Sequence, residues 1–242
     1  MVAAPLLQKF LVVIPTYNEA ANIIDLVQRL RTAQPNIDIL VVDDNSPDGT
    51  GNLADSMKDS KTFVLHRATK AGLGPAYLAG FTWGISRDYD FLVEMDADGS
   101  HQPEELGLLL AQSTSHDLVL GTRWMAGGSV VNWPLHRRLI SKFGTKYAAL
   151  ALGLPYQDLT SGYRVLSRQL IAHILHSDLR TLGYGFQIEI VRLAAMNDFT
   201  VIEVPITFIE RVAGRSKMSG KIVLEAFWMT TSWGLTRVFS RR

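Results

Sequence analysis

The 242-residue chain has no cysteine, which excludes a disulfide framework and a thiolate metal site and fits a reducing compartment. It also lacks the run of about 18–20 apolar residues that a spanning helix needs. The longest candidate, YAALALGLPY at 147–156, is too short and is broken by Gly153 and Pro155. The opening MVAAPLLQKF has no basic start followed by an apolar run, so a signal peptide is not expected. Its 19 glycines and 9 prolines follow no period and no internal repeat is present, which excludes fibrous and low-complexity classes. These absences predict a cytoplasmic protein, soluble or peripheral to a membrane.

A further absence is local. From Leu118 to Gln157 there is no acidic residue, while Arg123, Arg137, Arg138, Lys142 and Lys146 all fall there. The net charge of +1 therefore hides an acidic first half and a basic second half. The basic half suits an anionic partner such as a phosphate or a lipid surface. Nucleic acid is not expected, because no recognisable nucleic-acid module is present.

What is there reads as α/β. FLVVIP (10–15), DILVVD (38–43), TFVLH (62–66), DFLVEMD (90–96) and DLVLGT (117–122) are near-continuously apolar, the pattern of parallel strands covered on both faces. Helical patterns alternate with them at 20–33, 51–60, 73–86 and 103–112, with Asn18 placed to cap the first. Further helices are expected at 133–152, 167–175 and 184–196, an extended segment at 200–210, and a final helix from 217 to 239. The expected architecture is an open, doubly wound, mostly parallel sheet with helices on both faces. No linker divides it. Residues 1–216 are expected to form the catalytic domain and 217–242 a C-terminal amphipathic helix.

In such sheets ligands bind beyond the carboxyl ends of the strands, and the motifs cluster there. The first strand ends in PTYNE (15–19), which alone reads as a strand exit and helix cap. The second ends in DDNSPDGTG (43–51), where Asp43 suits a base or ribose hydroxyl and SPDG marks a turn. The KAGLGPA loop, starting at Lys70, is a weaker phosphate-binding candidate. DADGSH (96–101) is the strongest signal. Asp96 and Asp98 stand at i, i+2, so in extended chain both carboxylates face one side, an arrangement that suits Mg²⁺ or Mn²⁺. His101 is a candidate accessory ligand, with helix capping the preferred role. Arg123, in GTRWMAGG, and the basic RVAGRSKMSG segment (211–220) offer guanidinium and ammonium groups to phosphate.

Taken together, VVIPTYNE, VVDDNSPDGTG, KAGLGPA, EMDADGSHQPEEL, LGTRWMAGG, DLTSGYR, GYGFQIE, EVPITFIER and GRSKMSG resemble the polyprenyl-phosphate (dolichol-phosphate) mannose synthases, within the inverting glycosyltransferase family two. The resemblance implies an A-type glycosyltransferase fold and transfer of mannose from GDP-mannose to a polyprenyl phosphate. It implies that Pro15, Tyr17, Glu19, Val41 and Asp43 line the base and ribose pocket, with Lys70 also on the donor. Asp96, Ala97 and Asp98 would meet the metal and diphosphate, Asp96 and Asp98 as ligands and Ser100 as a further candidate. Arg123, Arg211 and Lys217 would neutralise phosphate, Arg123 acting with the two aspartates in catalysis. The acceptor side would use Arg123, Arg137, Ser141, Asp158 and Arg164.

A lipid acceptor implies a membrane-facing surface. Leu135, Leu139, Phe143 and Tyr147 recur every four residues beside a stripe of Arg138, Lys142 and Lys146, an amphipathic basic helix suited to a headgroup boundary. The C-terminal helix adds Phe227, Trp228, Met229, Trp233, Leu235 and Phe239, with a partner supplying further anchorage left open. Two alternatives remain at this point: a glucosyltransferase using UDP-glucose, and a non-catalytic subunit that binds nucleotide-sugar.

Overall fold

The computed structural model describes residues 8–179, 181, 183, 185–211 and 220–239, with side chains of the last helix described at 224 and 227–236. The expected domain boundary at 216/217 and Lys217 lie outside the described residues.

Strands β1 (Phe10–Thr16), β2 (Asp38–Asp43), β3 (Thr62–His66), β4 (Phe91–Glu94), β5 (Leu118–Thr122), β7 (Arg164–Ser167) and β8 (Val201–Pro205) form one sheet in the order β3-β2-β1-β4-β7-β5-β8. Every pairing in it is parallel except those of β7, which runs antiparallel between β4 and β5. Strands β6 (Ser129–Val131) and β9 (Thr207–Ile209) make a separate parallel pair. The expected extended segment at 200–210 is thus two strands serving two sheets, parting at Ile206, whose N–H is donated to the Thr122 carbonyl.

The apolar runs are continuous because successive side chains serve two cores. Leu11, Val13, Leu40 and Val42 point to one face, under α3 (Leu73–Ile85), α5 (Leu135–Leu152), α6 (Arg168–His176) and α7 (Gly185–Met196). Val12, Ile14, Ile39 and Val41 point to the other, under α1 (Ile23–Ala33), α2 (Thr50–Ser56) and α4 (Leu106–Ser113). Alternation on a strand buried from both sides removes any polar position from the pattern. Helix α3 lies unusually close: a Cβ at Gly80 would sit 2.4 Å from Val13 Cγ1.

The last helix, α8 (Gly220–Phe239), packs along α5. Gly234 makes that approach possible, since a Cβ there would lie 3.0 Å from the Ala151 carbonyl oxygen. No helix among the described residues is long and apolar enough to cross a membrane. Asn18 does not cap α1. It takes a left-handed conformation (φ 57°) and donates its N–H to Ser46, while Asn22 precedes the helix.

Candidate active site

The carboxyl ends of β1, β2, β4 and β5 and the start of antiparallel β7 share one edge of the sheet. PTYNE and DDNSPDGTG are laced there. Thr16 Oγ1 donates to Asp43 Oδ1 (3.0 Å), Ser46 N–H to Asp43 Oδ2 (3.1 Å) and Glu19 N–H to Thr50 Oγ1 (2.9 Å). Asp43 and Glu19 are buried, and Val41 lies wholly inside the sheet. Lys70 Nζ stands 3.8 Å above the Tyr17 ring, a cation–π contact at the rim of this pocket. Pro15 continues β1 and pairs with Val42 rather than ending the strand.

Beyond β4 the chain turns through Asp96, Ala97 and Asp98. Asp98 is buried, with Oδ1 accepting from the Ser100 N–H (3.0 Å) and Oδ2 3.0 Å from Arg211 Nη2. Burial first, and then the neighbouring Asp98 charge, raise the Asp96 carboxyl above the usual carboxylate range. A buried Asp96 carboxyl whose ionisation its neighbour Asp98 disfavours fits a divalent cation, which would remove the conflict. Ser100 is fully buried, and its hydroxyl has no hydrogen-bond partner among the described residues.

His101 does not cap the helical turn that follows it. Its ring is fully buried, stacked on Tyr163 (4.9 Å), and Nδ1 accepts the Asp96 N–H (3.1 Å). The proton is then on Nε2, 3.9 Å from Asp96 Oδ2. Burial pushes its pKa down to about 4, so it stays neutral and props the Asp96 turn from behind. Gln102, not His101, precedes the short 3-10 turn at Pro103–Glu105.

The arginines are held by carboxylates. Arg123 meets Asp158 side-on, Nε to Oδ2 at 2.7 Å and Nη2 to Oδ1 at 2.8 Å, and also donates to Thr160 Oγ1 (2.8 Å). Arg137 pairs with Glu210 and lies 4.2 Å over the Trp133 ring. Arg164 is wholly buried and donates to the carbonyls of Leu159, Ser161 and Gln187. Its counter-charge is Glu94, 3.9 Å away, whose carboxyl burial pushes up to about 7. Arg164 and Asp158 thus lie beneath the site, binding the DLTSGYR loop to the start of α7, rather than on its surface. Ser141 lies on the half-buried side of α5, away from the carboxylate pair in sequence. Sequence reasoning missed Glu210 and the propping role of His101. Nothing in local sequence distinguishes either from a surface residue, because both act through strand pairing with distant segments.

Known proteins resemble this chain in sequence and in fold. The model of Glycosyl transferase family 2 matches residues 11–175. The chain belongs to that family. This family 2 glycosyltransferase is 50% identical over 229 residues to the undecaprenyl-phosphate mannosyltransferase of Micrococcus luteus, covering 94% of each chain. It is also 50% identical over 232 residues to the polyprenol monophosphomannose synthase of Mycolicibacterium smegmatis, covering 94% of this chain and 88% of that one. Its fold is similar to that of glucosyl-3-phosphoglycerate synthase from Mycobacterium tuberculosis, solved with Mn²⁺, UDP-glucose and phosphoglyceric acid. The TM-score is 0.68 at 18% identity, over 93% of this chain and 80% of the other. The A-type glycosyltransferase fold expected from sequence is therefore present.

Proposed function

We propose that this chain transfers mannose from GDP-mannose to a polyprenyl phosphate at a membrane surface, with inversion, giving polyprenyl phosphate mannose and GDP. The observation that carries the reading is one molecule joining two unlike surfaces. A buried acidic pocket at the strand ends suits a nucleotide-sugar, and an exposed apolar, basic helix pair suits a lipid. On α5, Leu135 (70%), Phe143 (67%) and Leu150 (72%) are exposed, and on α8 Trp228 (65%) is. Arg138, Lys142 and Lys146 are exposed among them. Such a face is costly to leave in water and suits a headgroup boundary. The names of the two 50% identical relatives support mannose as the sugar and a polyprenyl phosphate as the acceptor.

In this reading Tyr17, Glu19, Val41 and Asp43 receive the base and ribose, while Asp96 and Asp98 hold a divalent cation, Mg²⁺ or Mn²⁺. The cation would supply charge stabilisation to the departing diphosphate. An acceptor phosphate oxygen attacks the anomeric carbon, the carbon–oxygen bond to the diphosphate breaks, and the nucleoside diphosphate leaves. A phosphate is anionic at neutral pH and needs no general base, which accords with a His101 whose Nδ1 is already engaged. Arg211, beside Asp98, and Arg137 would share phosphate charge, and Arg123 and Asp158 would fix the wall between them. The protein would sit peripherally on the cytoplasmic face of a membrane.

The test compares GDP-mannose with UDP-glucose as donors to polyprenyl phosphate in detergent, with Mg²⁺ or Mn²⁺. Mannosyl lipid from GDP-mannose alone is expected. Transfer from UDP-glucose alone would overturn the sugar, and no transfer from either would overturn the enzyme reading.

A further inference from the structure

The aromatic cluster beside the arginines has no part in the mechanism above. Trp124 follows Arg123 at the exit of β5, and Trp133 precedes α5 by two residues. Their ring centroids lie 6.4 Å apart, and Trp133 meets Phe208 of β9 edge-on at 5.2 Å. The Arg123 guanidinium stands 5.3–5.7 Å from all three rings. Both tryptophans are half-buried, yet neither indole N–H has a hydrogen-bond partner among the described residues. Buried indole N–H groups ordinarily find an acceptor.

The position of the cluster is defined from two directions. Phe208 packs against His101 at 5.6 Å, and His101 props Asp96. Independently, Trp133 carries Arg137, which pairs with Glu210, which faces Arg211 (3.9 Å), which pairs with Asp98. The rings therefore lie between the carboxylate pair and the exposed apolar face of α5. They also lie across the sheet from the nucleoside pocket. In the strand order β1 and β2 are on one side of β4, and β5 is on the other. A ligand held here would find guanidinium and indole N–H donors for an anionic end, and the apolar residues of α5 for an apolar body.

We propose that Trp124 and Trp133, backed by Phe208, seat the isoprene unit next to the acceptor phosphate and so set a preference for prenyl over simple alkyl phosphates. The inference rests on the polyprenyl-phosphate reading and names residues that reading does not require. A flat, polarizable indole pair matches a branched, unsaturated five-carbon unit, while the neighbouring arginines hold the charge.

The test measures initial rates with farnesyl phosphate and with dodecyl phosphate as acceptors, at saturating donor. The native protein is expected to favour farnesyl phosphate. Trp133→Ala and Trp124→Ala are each expected to raise KM for farnesyl phosphate about tenfold, the scale of one lost apolar contact of this size. The preference ratio should then collapse while KM for the donor stays within about twofold. Trp133→Phe should retain most of the preference. An equal loss on both acceptors, or a rise in donor KM alone, overturns the assignment. Should an alanine variant fail to fold, indole fluorescence decides with the native protein and Trp133→Phe. Farnesyl phosphate is expected to change the native signal, and that change should shrink in the variant. No fluorescence response in a protein that still transfers mannose to polyprenyl phosphate overturns the inference alone. No transfer to any prenyl phosphate, with no response, removes both the inference and the reading beneath it.

Discussion

The two halves of the site's surroundings are built on opposite principles. At the ends of β1 and β2, polar side chains are buried and satisfied by one another, so the pocket is formed before any ligand arrives. Along α5 and α8, large apolar side chains stand in solvent, while the Tyr147–Phe227 stack at 4.9 Å and the buried Thr230 and Trp233 tie the helices down. A pre-organised pocket suits a step whose rate depends on positioning. A loosely patterned apolar face suits a partner without fixed shape, such as a bilayer. A substitution in the first region should therefore act on turnover or folding, and one in the second on partitioning alone.

The largest effect is expected at the carboxylates. Asp96→Asn or Asp98→Asn should lower turnover by on the order of a thousandfold. Chelation of the native protein should produce the same loss, reversed by added Mg²⁺ or Mn²⁺. Near-normal rates in either variant would end the metal assignment.

Asp158→Asn comes next and should act on folding. Although burial favours its neutral form, Arg123 and the backbone donors hold the Asp158 carboxyl below the usual carboxylate range. Such a depressed group stabilises the fold above its unfolded value of about 4, and that contribution fades as pH falls through the lower folded value. Removing the charge strands a buried guanidinium, at a cost of about 3 kcal/mol. Denaturant melts at pH 7 should show this loss. The gap between native and variant should narrow below about pH 4, and a gap that is constant with pH would count against the pairing.

Phe143→Asp and Leu150→Asp test the other region. Both side chains are exposed, so unfolding should be unchanged, while binding to anionic liposomes should fall about tenfold for each. Binding should also weaken with salt, since the basic stripe contributes through screened charge. A shifted melting temperature with unchanged sedimentation would reverse the comparison. The smallest effect is expected at Lys70→Met. Loss of an exposed contact with Tyr17 should raise donor KM two- to fivefold, roughly the worth of an exposed cation–π pair. An effect on acceptor KM instead would place Lys70 on the wrong side of the site.

The same contrast explains what was legible in sequence. The five parallel strands and the helices between them were readable because two-sided burial writes itself into contiguous apolar runs. The Asp-x-Asp turn was readable because its chemistry is local. β7 was not, since RVLS is only four residues long and its strand character comes from lying between β4 and β5. His101 and Asn18 were misread as caps for the opposite reason. Residues that commonly cap helices also suit buried or left-handed positions, and only tertiary contacts decide. The arginines were recognised as a group, but their individual partners, Asp158, Glu210 and Asp98, lie far away in the chain.

The antiparallel strand also has a consequence for synthesis. A nascent chain can pair β3, β2, β1 and β4 as soon as β4 emerges, because those pairings involve earlier residues alone. β5 is made next, yet it has no bond to β4 and must wait for β7 to be translated and inserted between them. Until then the ribosome-bound intermediate carries an open β4 edge directly beside the Asp-x-Asp turn, and open edges recruit foreign strands. The interval between the making of β5 and β7 is thus one in which a chaperone would have an edge to cover, and slow codons placed there would lengthen its exposure.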